Sequence, residues 1–474
     1  MTETKIFEKQ DIKLVQNLIS NLNELSQVND VLNKYIFDTP TKIYCREFLK
    51  LKFLLSKKDN TAAQFAIDLF ELYPLRPEIL FCLIQKLRME GKNHYAFMLA
   101  QHAIKIPRVD RKQNWMVDLR IDESLLFELS ILAFYNSDYI SGLEVCNELM
   151  INNKLMVSSD MYNNVLNNLK FYLFPMTTEC KTTELIYPKK LFGWNLCNPS
   201  ICVHDKYIAC NLRMVNSGGL WYNLNSELGG QKVSIENPIE TKNIRCFIDT
   251  TKNNVCDFKL FDPKSKLISN PNTIVKGLED CRIFSFEGNI CFFATSLEFS
   301  NDGHCQMIFG NMENTIILKS PDRNRNEKNW LPFVKEDKLF AIYQYQPFEI
   351  FEIDPKTGEY FCVVSKDYVK FNMDSFRGSA GPFLYNHFYY IIIHEVIGHP
   401  DRTYFHRILK MSLDFKLHSM SLPFVLNGAN PIEYVCGLII QNDIVYISWG
   451  DNDKKAMLTQ LPYDIFDSGC TIII

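Results

Sequence analysis

Two adjacent carboxylates and an arginine, in the run Gly277-Leu278-Glu279-Asp280-Cys281-Arg282, are the most chemically pointed residues of the chain. Paired acids suit proton transfer, because a neighbouring negative charge raises the cost of ionising each. A flanking guanidinium works the other way and favours the carboxylate, so an acid role for Asp280 needs burial or the charge of Glu279 as compensation. Other polar residues recur at matched places along the chain: Asn198, Arg213, Lys328, Tyr345, Arg377, His394, Glu433 and Asp453. The arginines among them suit phosphate, since their planar fork donates two hydrogen bonds to one group.

The elements that must position these residues form a repeat. Five segments share one layout of polar cluster, short apolar run, turn and a β run ending in a polar side chain. They are Asn198 to Arg213, Gly277 to Ser296, Glu327 to Pro347, Phe376 to Glu395 and Ile432 to Asp453. Their spacing is roughly 50 residues after a longer first interval, as expected for four-stranded blades. The reading is a five-bladed β-propeller over 185–474. Inner strands of a propeller line its axis, so matched positions converge there: Asn198, Asp280 with Arg282, Lys328 with Asn329, Arg377 and Glu433. The strand-end set is Arg213, Ser296, Tyr345, His394 and Asp453. Unpaired charge is expensive to bury, so a ring of such residues reads as a polar ligand site.

Residues 1–175 have helical periodicity instead. Leu14, Val15, Leu18, Ile19, Leu22, Leu25 and Val28 form an apolar stripe, and further amphipathic segments follow, with Gly91 and Pro107 where helices stop. Consecutive short helices predict an α-helical repeat domain of tetratricopeptide-like type. The fold class is thus α+β multidomain.

Composition bounds the rest. The 474 residues carry 51 Lys+Arg against 55 Asp+Glu, a net charge of −4, which argues against nucleic acid or anionic membrane as general partner. The opening MTETKIFEKQ has no apolar signal core, and no apolar run approaches the roughly 20 residues of a membrane span. Fifteen scattered cysteines without a C-x-x-C pair read as reduced thiols, so a cytoplasmic protein is expected. No metal cluster or cofactor fingerprint is visible. His394 and His399 are five apart at the end of a strand, unlike the four-residue spacing of the helical zinc-protease motif. Trp194, Trp221 and Trp330 read as structural, with stacking on sugar faces as the alternative.

Together with Asn198-Pro199 and Trp449-Gly450-x-x-Asp453, the Gly-x-Glu-Asp-x-Arg segment resembles glycoside hydrolase family 130 and the related glycosyltransferase family 108. The family places proline where Cys281 stands here. The resemblance implies that Asp280 is a general acid working through a sugar hydroxyl, with inversion. It also implies that Arg213, Arg282, Lys328, Arg377 and His394 hold phosphate or the diphosphate of a nucleotide sugar. Mannose is the family's usual sugar. Inverting hydrolysis would need a second carboxylate about 6.5–9.5 Å away, for which Glu433 and Asp453 are the candidates. The helical part resembles the repeat module beside many glycosyltransferases, which leaves room for a protein partner. The expectation is inverting glycosyl transfer or phosphorolysis on a glycan acceptor. The alternative is a non-catalytic glycan-binding or scaffold protein working with a separate glycosyltransferase.

Overall fold

A computed structural model describes residues 5–474 apart from 109–119, 156, 177–179, 188–192, 217–226, 229–230, 250–253, 264–265, 301, 322–323 and 399–401. Trp221 and His399 lie outside the described residues. The chain divides into two compact units, Met1–Tyr172 and Leu173–Ile474.

The first unit is helical. Its helices are Asp11–Ser20, Leu25–Leu32, Pro40–Ser56, Ala62–Leu72, Pro77–Met89, Asn93–Ala103, Ile121–Tyr135, Tyr139–Ile151 and Ser159–Leu169. Local chemistry starts several of them. Thr39 caps the third, its hydroxyl accepting from Lys42 N with Pro40 at the first helical position, and Asp138 and Ser158 cap the last two. From Pro40–Ser56 onward each helix packs on the next. The predicted first stripe is broken: the chain turns at 21–24, Val15, Ile19, Val28 and Leu32 are buried, and Leu14 and Leu18 stay about half exposed. Two short helices meeting the core at different angles cannot share one continuous stripe.

The second unit is a five-bladed β-propeller. Each predicted repeat is the inner hairpin of one blade: Asn195–His204 with Tyr207–Val215, Glu279–Phe286 with Asn289–Ser296, Leu331–Lys335 with Lys338–Tyr345, Arg377–Tyr385 with Phe388–Ile397, and Glu433–Gln441 with Ile444–Asp451. The turns between these strands explain the repeat's polar punctuation. Both turn residues have positive φ at Glu287-Gly288, Glu336-Asp337, Asn386-His387 and Asn442-Asp443, the mirror-image turn that suits the twist of a hairpin.

The first strands of the blades pack side by side in a closed ring, Asn195–His204 touching both Glu279–Phe286 and Glu433–Gln441. Apolar side chains fill the spaces between neighbouring sheets, as with Phe293, Phe309, Trp330 and Phe351 between blades two and three. Two details were not expected. Lys181–Glu184, ahead of the predicted start at 185, is the outer strand of blade five, antiparallel to Lys455–Pro462. Ile472–Ile473 adds a fifth strand to blade four.

Four of the five inner strands also share a kink. Register shifts fall between Cys197 and Ser200, Glu279 and Arg282, Gly378 and Ala380, and Val435 and Gly437. Such bulges re-aim side chains. Asn198 and Asp280 sit inside two of them with φ of 44° and 49°.

Candidate functional site

The bulges of blades one and two bring three sequence-predicted residues into direct contact. Asp280 Oδ1 accepts from Arg213 Nη1 at 2.5 Å and from Asn198 Nδ2 at 3.0 Å. Arg213 Nη2 donates to Glu279 Oε2 and to Thr241 Oγ1, both at 3.3 Å. Asp453 lies at the turn after the second strand of blade five, and the charges of Arg213, Asp280 and Glu279 act on its carboxyl. Gly450 makes room for this arrangement. A Cβ there would lie 1.9 Å from Asn198 Oδ1, so only glycine lets the asparagine settle against Asp280.

Arg213 and Glu279 are buried, while one fifth of the Asp280 side chain remains exposed. The three carboxyls respond differently. Burial pushes Asp280 up, but Arg213, Arg282 and the bond from Asn198 outweigh it and hold its carboxyl below the ordinary value. Burial raises Glu279, against the pull of Arg213 and Lys328. Burial, with the charges of Asp280 and Glu279, raises Asp453 to about 6 against Arg213 and Asn198.

A second network adjoins the first. Arg282 is fully engaged on one edge: Nε donates to Ser379 O at 3.0 Å, and Nη2 to Tyr434 Oη at 2.7 Å, Asn329 Oδ1 at 3.1 Å and Gly378 O at 3.1 Å. His394 Nδ1 pairs with Ser379 Oγ at 2.8 Å, and its ring lies against Tyr404 and Tyr434. Burial, then the charges of His406, Arg282 and Arg377, push His394 well below its usual value, so it is neutral. Arg282 and His394 therefore hold blades two, three, four and five together around the ring.

Lys328, Tyr345 and Arg377 line a different space, a cleft of about 380 Å³ between blades three and four, with Gln344, Gln346 and Asp374. Lys328 and Arg377 are exposed there. The buried Tyr345 Oη and Gln346 Oε1 have no hydrogen-bond partner among the described residues. Glu433 stands apart from both groups. Its carboxylate accepts from the backbone amides of Leu426 at 2.6 Å, Asn427 at 2.9 Å and Gly428 at 2.7 Å, which fixes that loop. Ser296 Oγ likewise bonds Gly277 O. Trp330 is fully buried and donates to Glu327, a core role.

The sequence reading did not single out Thr241, Ser379 or Tyr434. Ser379 and Tyr434 were within reach, because they lie inside the fourth and fifth repeats. Thr241 belongs to the third strand of its blade and carries no repeat signal.

Comparison of the sequence with known families and with curated proteins finds no match. Among solved structures, the chain is similar to a β-1,2-mannobiose phosphorylase from Listeria innocua at 12% identity, covering 68% of this chain and 97% of that one, with a TM-score of 0.40. A putative glycoside hydrolase from Parabacteroides distasonis is 13% identical over 56% of this chain and 86% of that one, with a TM-score of 0.37. A glycoside hydrolase family 43 enzyme from Xanthomonas citri is 9% identical, covering 60% and 91%, also at 0.37.

Proposed function

We propose that the propeller is a carbohydrate-active enzyme catalysing inverting glycosyl transfer, or the reverse phosphorolysis, on a glycan of mannoside type. The observation that carries this reading is the carboxyl cluster: an ionised Asp280 held by Arg213 and Asn198, still part-exposed, beside Asp453, which retains its proton into the range near pH 6. Carboxyls whose surroundings separate their protonation are the ordinary equipment of glycoside chemistry. The residues that carry the resemblance to glycoside hydrolase family 130 include Asn198, Asp280, Gly450 and Asp453, all four of which meet in this cluster.

Lys328 and Arg377 in the neighbouring cleft supply positive charge for a phosphate or a nucleotide diphosphate, and Tyr345 and Gln346 line the same cleft. Glu279 and Arg213 fix the cluster from behind. Arg282 and His394 support it through the inner ring, and Glu433 acts through its loop. In the phosphorolytic direction phosphate is itself the nucleophile, so no second carboxylate is needed to activate water. The helical unit serves as a tetratricopeptide-like docking module for a protein partner in the cytoplasm.

A second reading has one observation in its favour. Asp280 Oδ1 is saturated by structural partners, which would suit a glycan-binding protein that has lost turnover. A mass-spectrometric screen separates the two. Purified protein is offered sugar-1-phosphates and nucleotide sugars with an acceptor panel, beside Asp280→Asn. Product from the wild type and at least a 100-fold loss in the variant is the expected result. Unchanged turnover in Asp280→Asn would remove Asp280 from the reacting centre. Sugar binding without turnover would favour the binding protein.

A further inference from the structure

Arg377 is exposed on the wall of the cleft between blades three and four, yet its guanidinium is already tied down. Nη1 donates to Asp374 O at 2.6 Å and to Phe376 O at 2.9 Å, the carbonyls on either side of Ser375. Between them, the Ser375 hydroxyl donates to Glu395 Oε1 at 2.6 Å. The other Glu395 oxygen accepts from Arg407 Nε, also at 2.6 Å. Glu395 and Arg407 are buried, and the Arg407 guanidinium stands 5.6 Å from the Phe376 ring. None of Ser375, Glu395 and Arg407 lines the cleft itself. A buried ion pair is thus joined, through one hydroxyl, to the loop that grips an exposed arginine.

A free arginine side chain samples many rotamers, and ordering it subtracts from the affinity of any ligand it meets. Here the ordering is done on folding, because the loop is anchored to a charge-compensated carboxylate. Stability alone is a weak reason for that anchor, since a buried ion pair is often no better than an apolar pair of the same shape. With Nη1 committed to the two carbonyls, the Nε and Nη2 edge of Arg377 has no partner among the described residues. That edge is the fork that matches two oxygens of one phosphate. The cleft carries Arg325, Lys328 and Arg377 against Glu327 and Asp374, so its cations outnumber its carboxylates and an anion complements it. We propose that Glu395, acting through Ser375, is a positioning residue that presets Arg377 for a phosphoryl group, free or esterified. The ligand rests on the phosphate reading of the cleft; the relay does not.

Calorimetric titration of the full chain with inorganic phosphate, and separately with a sugar-1-phosphate, tests the proposal. Ser375→Ala cuts the link and leaves Arg407 on its carboxylate. It is expected to weaken binding about 5- to 10-fold, the order of one hydrogen bond to a charged group. Ser375→Thr, which keeps the hydroxyl, is expected to bind as wild type. Glu395→Gln is expected to weaken binding in the same sense, and where it does not fold the two serine variants decide. In an Arg377→Lys background, which lacks the planar fork, Ser375→Ala is expected to cost less than about twofold. Unchanged affinity in Ser375→Ala overturns the proposal. An equal loss in both backgrounds also overturns it, because the serine would then act on the fold and not through Arg377. Weakening of the ester alone assigns the fork to the donor's phosphate, and weakening of both ligands assigns it to a place that free phosphate also fills. If the wild type binds neither, the phosphate reading of the cleft fails and the relay is read from Arg377 itself. Rotation about its Nε–Cζ bond, followed by nitrogen-15 NMR and assigned by its loss in Arg377→Lys, is expected to be slow in the wild type and faster in Ser375→Ala. Equal rotation in the two overturns the relay.

Discussion

At the scale of single residues, the site depends on what Arg213 and Gly450 do for their neighbours. Arg213 compensates Glu279 and Asp280 in a place where only one fifth of the Asp280 side chain meets solvent. Arg213→Ala should therefore cost about 3–5 kcal/mol of folding stability, read by chemical denaturation, because it strands buried charge rather than merely losing a bond. Arg213→Ala combined with Asp280→Asn should cost less than the sum of the two. Gly450→Ala acts through space. Its Cβ would meet Asn198 Oδ1, so the asparagine must swing away from Asp280. A loss of about 1–3 kcal/mol is expected, with turnover reduced as far as in Asn198→Ala while circular dichroism stays native.

The elements explain what was legible in the sequence. Hairpin turns at Glu287-Gly288, Glu336-Asp337, Asn386-His387 and Asn442-Asp443 need left-handed backbone, and residues that tolerate it punctuate the apolar runs visibly. The blade count was readable for that reason. The bulges were not, because a register shift leaves no compositional mark. Matching the repeats by charge paired Asp280 with Arg377 and Glu433. The bulge register instead sets Asp280 against Ser379 and the neighbourhood of Cys436. Arg377 therefore falls in the cleft and Glu433 under its loop, two and three residues from the kinks. Glu433→Gln, which keeps the shape and loses the charge that three amides share, should cost about 2–3 kcal/mol. It should leave the carboxyl titration of the Asp280 cluster in place, and a shifted titration would show that the loop and the cluster are coupled.

For the whole molecule, buried titratable groups set the pH range of stability. His406 is held down to about 4 by burial, so the unfolded chain binds a proton below about pH 6.5 that the folded chain refuses. His394 acts in the same direction. Stability should fall as pH drops from about 6.5 to 4. Asp453 does the opposite: its folded carboxyl is raised, so its contribution is complete below about pH 3.9 and is lost as pH rises through about 6. Asp453→Asn should therefore gain on the order of 2 kcal/mol relative to wild type at pH 8 and little at pH 4. Melting curves of both proteins across that range check the sign. The closing strand gives a test of its own. Leu185 is buried, and its amide bonds Ala456 O. A fragment starting at Leu173 is expected to unfold cooperatively, whereas one starting at Leu185, without Lys181–Glu184, should lose many degrees or aggregate through the bared edge.

That clasp between the two ends of the ring also imposes an order of events on synthesis. Thr182 and Thr459, whose hydroxyls meet at 2.9 Å, are 277 residues apart in the chain. At about 5–20 residues per second the strand Lys181–Glu184 leaves the ribosome on the order of 15–60 s before its partner exists. For that interval it is a lone edge, and a long hydrophobic strand would pair with whatever came near. Its four residues, Lys-Thr-Thr-Glu, are short, polar and charged at both ends, a composition that waits in water without seeking a neighbour. The polarity that left this strand outside the predicted propeller range is thus the feature that lets a nascent chain carry it until the last blade arrives.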